Sequence, residues 1–193
     1  MKSISITGSV RANLGNNTAR EVRAAGDIPC VLYGGDDLVH FSASEVQFKK
    51  LLYTPEVFTV NLDVDGKNYQ AVLREVQVHP VSDAILHLDF LQLSADKAVV
   101  IDVPVHITGN SIGVKQGGKL ITKVRKLKVK SLPADLPESI TLNVDDLEIG
   151  KAIRVRDIKV KNVEILDSPN NVVTGVQITR QVATEAAAPA GKK

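Results

Sequence analysis

The chain has 193 residues, 44% of them apolar and 24% charged, with 24 Lys+Arg against 22 Asp+Glu and a single cysteine. This is the balance of a globular protein with one large or two small cores, and a net charge of +2 excludes a uniformly basic coat for nucleic acid. One thiol permits no internal disulfide, the first residues lack the apolar stretch of a secretory leader, and no run approaches the roughly 18–20 apolar residues that cross a bilayer, so a cytoplasmic protein is expected.

Val, Ile and Thr number 27, 14 and 10, an excess of β-branched side chains that suits a pleated, half-buried surface. In chain order, Ser3-Ile4-Ser5-Ile6-Thr7 alternates as a strand with one wet face. The turn-forming stretch Asn13-Leu14-Gly15-Asn16-Asn17 follows, and Thr18 with Glu21 fits a capping box that opens a short helix, with Gly26 placed to end it. Asn16-Asn17-Thr18 is also a formal glycosylation sequon, which has no meaning without a secretory route. Cys30, within Ile28-Pro29-Cys30-Val31-Leu32-Tyr33, reads as a core thiol. Ser42 with Glu45 gives a second capping box, predicting a helix that buries Phe48, Leu51 and Leu52. The alternation over 58–64, the turn pair Asp65-Gly66 and the Tyr69/Ala71/Leu73 alternation predict a hairpin with a type I′ turn. Further strands are expected over 101–107 and 140–144. One alternation ends at Leu93 and another begins near Val99, which places a boundary at 94/95 and predicts two mainly β domains, residues 1–94 and 95–182. The last residues, 183–193, lack large apolar side chains and are expected to be a disordered tail.

The near-zero total charge hides a division. Residues 1–94 hold eight basic and eleven acidic side chains, net −3, and residues 95–193 sixteen and eleven, net +5. Within the acidic half, residues 1–26 carry Lys2, Arg11, Arg20 and Arg23 against Glu21 alone. Arg20 and Arg23, three apart on the predicted helix, project from one face, where guanidinium groups can hold phosphates bidentately beside the open amides of the helix start.

Other patterns carry less. Gly113 to Lys119 matches the spacing G-x-x-x-x-G-K, but Leu120 stands where a Mg²⁺-binding hydroxyl is required and the following residues alternate like a strand, so a mobile turn is expected. His87 and Asp89 share one face of a strand, with His79 nearby in sequence; a hydrogen-bonded pair is the simpler reading, and a metal-dependent enzyme using His79, His87 and Asp89 is the alternative. The run Lys123, Arg125, Lys126, Lys128 and Lys130 alternates partly with Val124, Leu127 and Val129 and reads as a solvated strand face.

Taken together, several segments resemble a known family. They are Arg11-x3-Gly15-x4-Arg20-x2-Arg23, then Ile28-Pro29-x3-Tyr33-Gly34-Gly35, then Val76-Gln77-x-His79-Pro80, and His87-Leu88-Asp89-Phe90. The second half adds Gly113 to Gly118, the stretch 132–140, and Leu147-Glu148-Ile149-Gly150. In this order, over about residues 5–180, they resemble the bacterial ribosomal proteins that bind 5S rRNA, in the two-domain form called general stress protein CTC. The resemblance implies an N-terminal β-barrel-like domain with short helices on the minor-groove side of 5S rRNA. It also implies a second all-β domain that packs against other parts of the large ribosomal subunit, neighbouring ribosomal proteins included.

The resemblance implies RNA contacts at Arg11, Arg20, Arg23, Tyr33, Gln77, His87 and Asp89, with Arg74 where the family often has another polar residue. The arginines would hold phosphates, Tyr33 would stack or donate its hydroxyl, and the other polar groups would read base edges or 2′-hydroxyls. Asn16-Asn17 stands where the family frequently has a Lys-Gly pair, so Asn16 would replace a phosphate contact by a neutral hydrogen bond, with a shallower salt dependence. The expected function is thus that of a non-enzymatic ribosomal RNA-binding protein without cofactor, membrane or small-molecule substrate. A β-rich protein–protein module is a further alternative.

Overall fold

The computed structural model describes residues 2–35 and 37–179; the tail expected at 183–193 lies outside the described residues. The described chain divides into two units, one running to Val99 and including Leu132–Glu138, the other comprising Val100–Ser131 and the residues from Ser139 on.

In the first unit the order is β1 (Ser3–Val10), α1 (Asn16–Ala24), β2 (Asp27–Tyr33), β3 (Val39–Ser44), α2 (Glu45–Tyr53), β4 (Thr59–Val64), β5 (Lys67–Val78) and β6 (Ile85–Gln92). The six strands close into a barrel in the order β1-β3-β2-β6-β5-β4. The pairs β1/β4 and β2/β6 are parallel and the rest antiparallel. Closure leaves no long edge for another chain to extend. Period-two alternation sends Ile6, Cys30, Leu32, Val60, Leu62, Leu88 and Phe90 into one buried cluster, which Phe48 and Leu51 of α2 join. Phe90 is fully buried, with its ring centroid 5.8 Å from that of Phe41 and 6.1 Å from that of Phe48.

The hairpin forms as its sequence requires. Asp65 and Gly66 both have positive φ, 49° and 82°, and the Asp63 carboxylate accepts the Gly66 N–H at 3.1 Å. Cys30 is fully buried; burial above all pushes its thiol far up, Arg11 opposing the shift and Asp89 adding to it. It therefore stays a neutral core group.

Neither expected capping box forms: α1 and α2 both start without a side-chain cap. α1 begins three residues early, at Asn16, with Gly15 in the cap position, and the Thr18 hydroxyl donates to the Gly15 carbonyl at 3.1 Å instead of capping an amide. Ser42 is no cap either, because β3 runs on to Ser44 and Ser42 pairs with Pro29 on one side and Ser9 on the other. Ladder pairing on both edges outweighs a local side-chain cap there. α2 then starts at Glu45, and of the three residues expected to be buried Phe48 and Leu51 are, while Leu52 is half-buried.

The second unit contains β7 (Val99–Thr108), α3 (Ile112–Lys115), β8 (Lys119–Thr122), β9 (Lys126–Ser131), β10 (Ile140–Asn143), β11 (Ala152–Arg154), β12 (Glu164–Ile165) and β13 (Val172–Gln177). They form a four-stranded sheet, β10-β7-β9-β12, and a three-stranded one, β11-β13-β8. The stretch with P-loop spacing is one turn of helix followed by a strand. Gly118 donates to the Gly113 carbonyl at 2.8 Å, and a Cβ on Gly118 would come within 2.5 Å of Val176, so these glycines serve packing.

Candidate nucleic-acid interface

The ladder pairs bring distant segments into one row. The Arg11 N–H donates to His40 of β3 at 2.9 Å, His40 pairs with Val31 of β2, Val31 with Asp89 of β6, and Asp89 with Glu75 of β5. Since Cys30, Leu32, Leu88 and Phe90 point into the core, the intervening Val31 and Asp89 point outward. One step along, Gln77 pairs with His87 on the same outer face, and Tyr33 pairs with Leu91 at its other end.

β5 carries two irregularities here, between Leu73 and Glu75 and between Gln77 and Val78. The first leaves Arg74 as an extra residue, and such a bulge re-aims its side chain. Arg74 comes to lie beside the Tyr33 hydroxyl and hydrogen-bonds to it. Burial pushes the Tyr33 phenol up, Arg74 opposes this, and Asp89 and Glu75 add to it; the hydroxyl remains a donor at neutral pH.

His87 Nδ1 and Asp89 Oδ1 are 2.6 Å apart, both side chains about a quarter exposed. The carboxylate fixes the imidazole's orientation and leaves its far nitrogen out of the pair. His79, by contrast, is spent inside its own turn, where Nδ1 accepts from the Ser82 N–H at 3.2 Å and lies 3.0 Å from the Ser82 hydroxyl. Among the described residues no group of three His, Cys, Asp or Glu side chains is placed to hold a metal.

Around this face stand the arginines. Arg23 of α1 donates from Nη1 to the Leu86 carbonyl of β6 at 3.0 Å, which pins the helix to the barrel beside the His87–Asp89 pair. That bond is a structural duty for Arg23 that the sequence did not suggest. Arg20 and Asn16 are exposed on the same helix. Arg11 is half-buried, and its Nη2 is buried without a hydrogen-bond partner among the described residues. A desolvated guanidinium donor of this kind is costly until an acceptor reaches it.

Tyr33, Arg74, Gln77, His87 and Asp89 are therefore gathered on one outer face of β2, β6 and β5, with Arg11 in the same row and Arg23 tied to its edge. Sequence reading missed His40 and Glu75, which complete the row. His40 alternates with Val39 and Phe41 in a segment read as leading into a helix, and Glu75 gains its place only from a pairing with β6.

Residues 6–90 match the Ribosomal L25p family, and residues 98–180 match the family described as ribosomal protein TL5, C-terminal domain. The chain is 44% identical over 197 residues to "Large ribosomal subunit protein bL25" of Bacteroides fragilis, covering all of both chains. It is 44% identical over 182 residues to the protein of that name from Porphyromonas gingivalis, covering 93% of this chain and 95% of the relative. To that of Cytophaga hutchinsonii it is 42% identical over 192 residues, again covering all of both.

Proposed function

The chain belongs to the ribosomal L25p family, and from that premise we propose that its barrel binds 5S rRNA through the outer face of β2, β6 and β5. As a member it is a structural, non-enzymatic constituent of the large ribosomal subunit in the cytoplasm. The observation that carries the finer reading is the convergence of Tyr33, Arg74, Gln77, His87 and Asp89 on a single face. A shallow RNA minor groove offers 2′-hydroxyls and base edges, and this face offers phenol, amide, imidazole and carboxylate groups to meet them. The flanking Arg11, Arg20 and Arg23 supply phosphate contacts, which set orientation more than sequence choice; Asn16 adds a neutral one. The orphaned Nη2 of Arg11 is a donor that an RNA acceptor would satisfy. The second unit, in this reading, contacts other parts of the subunit.

Asp89 gives the sharpest test. The N-terminal half has a net charge of −3, so if attraction were merely bulk electrostatics, removing a carboxylate would tighten binding. The proposed site predicts the reverse. Asp89→Ala removes an acceptor and the group that orients His87, and should weaken 5S rRNA binding by roughly tenfold to a hundredfold, the equivalent of about 1–3 kcal/mol for a lost base-edge contact. Fluorescence titration of labelled 5S rRNA checks it; equal or tighter binding by the variant would remove Asp89 from the interface.

A further inference from the structure

Between Asp102 and Asp135 the sequence holds no acidic residue and seven basic ones, from Lys115 to Lys130, so the rest of the chain carries a net −5. Three of the seven are fixed in one line. Along β9 the burial alternates strictly, with Leu127 and Val129 fully buried and Lys126, Lys128 and Lys130 exposed. Resting on the family reading above, we propose that this lysine line is a second RNA-binding surface, one that tracks the phosphate backbone of the large-subunit rRNA independently of the barrel.

Neither solubility nor protection of the strand accounts for these lysines. The wet faces of β1 and β4 are served by Ser3, Ser5, Thr7, Asn61 and Asp63. Nor is β9 a bare edge, the one place where lysine guards against pairing. β12 pairs with it at Lys130 and Val129, the Leu166 N–H donates to the Lys128 carbonyl at 2.9 Å, and the Asp167 carboxylate accepts the Lys128 N–H at 2.8 Å. Among the described residues the one ion pair along the line is the loose 3.8 Å approach of Lys130 to Glu164, so the ammonium charge is hardly neutralised within the chain.

The spacing suits a polyanion. Alternate residues on a strand lie about 6.7 Å apart, close to the separation of successive phosphates along one nucleic-acid strand. Neighbouring strands add polar groups to this sheet, where His106 pairs with Thr141 and Thr108 with Asn143. No aromatic or large apolar anchor interrupts the lysine line. A protein partner would favour such anchors and disfavour lysine, whereas phosphate contacts are made by this set of side chains.

The test uses the full chain on large subunits lacking it and, separately, on isolated 5S rRNA. The variant Lys126→Ala/Lys128→Ala/Lys130→Ala is compared with a control of equal charge loss, Lys151→Ala/Lys159→Ala/Lys161→Ala. For the line variant the slope of log affinity against log salt on the subunit should fall by about 2 to 3, near 0.9 per phosphate contact. The control should change it little, and 5S rRNA affinity should stay within about twofold for both. A line variant that behaves like wild type overturns the proposal, and equal losses in both variants overturn it in favour of bulk attraction. A weakened line variant that loses a cross-link to a ribosomal protein while keeping its rRNA cross-links overturns it in favour of a protein partner. Failure of the wild type to bind 5S rRNA, with the subunit effect intact, sinks the barrel reading and leaves this one standing.

Discussion

Phe90→Ala is expected to destabilise the barrel by about 3–5 kcal/mol, the usual cost of emptying a buried phenylalanine site. Phe90 of β6 is fully buried, its ring tilted against Phe41 from β3 and Phe48 from α2, so two elements lose a common partner at once. Against a total of roughly 5–15 kcal/mol for a domain this approaches the limit of what folding tolerates. Urea unfolding followed by tyrosine fluorescence isolates the effect. The chain has no tryptophan, and its three tyrosines, Tyr33, Tyr53 and Tyr69, all lie in the first unit. With a slope near 2 kcal/mol per molar urea the midpoint should fall by about 2 M. Phe90→Leu, which keeps most of the volume, should cost far less. A shift below about 1 kcal/mol for the alanine variant would mean that the barrel is not organised around this ring.

The second large effect concerns RNA. Arg20→Ala combined with Arg23→Ala should weaken 5S rRNA binding by at least about tenfold, since a hydrogen bond to a charged group contributes about 1.5–3 kcal/mol. It should also lower the salt slope by about 2, one contact per arginine. Arg23 has a second duty, holding the Leu86 carbonyl at 3.0 Å, so its loss alone could act by loosening α1. Arg23→Lys separates the two roles. It keeps a charge for phosphate but gives up the guanidinium fork, so the salt slope should be retained while affinity drops. Unchanged affinity and slope in the double variant would move the phosphate contacts off α1.

Much of this could be read from residues alone, for a physical reason. Where one side of a strand is buried and the other wet, as in Ile4/Ile6 of β1 or Val60/Leu62/Val64 of β4, the period-two pattern is written locally. The Asp65-Gly66 turn is equally local, because positive φ at both positions restricts which residues can stand there. β3 was obscured for the opposite reason. Ser42 and Ser44 are both good capping residues, and only pairing with β1 and β2 decides that Ser42 stays in the ladder. The start of α1 was likewise set by Gly15, not by the hydroxyl of Thr18.

The site divides in the same way. The side chains His87 and Asp89 are two apart on one strand, and their pairing at 2.6 Å follows from that spacing. Arg74 beside Tyr33 depends on a bulge and on a parallel pairing of strands more than fifty residues apart, and His40 reaches its place between Arg11 and Val31 through antiparallel pairing of β3 with β2 and a backbone bond from Arg11. No local pattern encodes those, although the resemblance of ordered motifs pointed to Arg74. The near-neutral total charge proved to be a sum of unlike parts, an acidic barrel with a few placed arginines and a second unit with an uninterrupted basic stretch.

The most direct measurement of the central claim is an amide chemical-shift map of the labelled full chain titrated with 5S rRNA. The account predicts that the perturbed amides cluster at Tyr33, Arg74 to Gln77, His87 to Asp89 and along α1, with Asn61 and Asp63 of β4 unaffected. Perturbations confined to β4 or to the second unit, or none at saturating RNA, would contradict it.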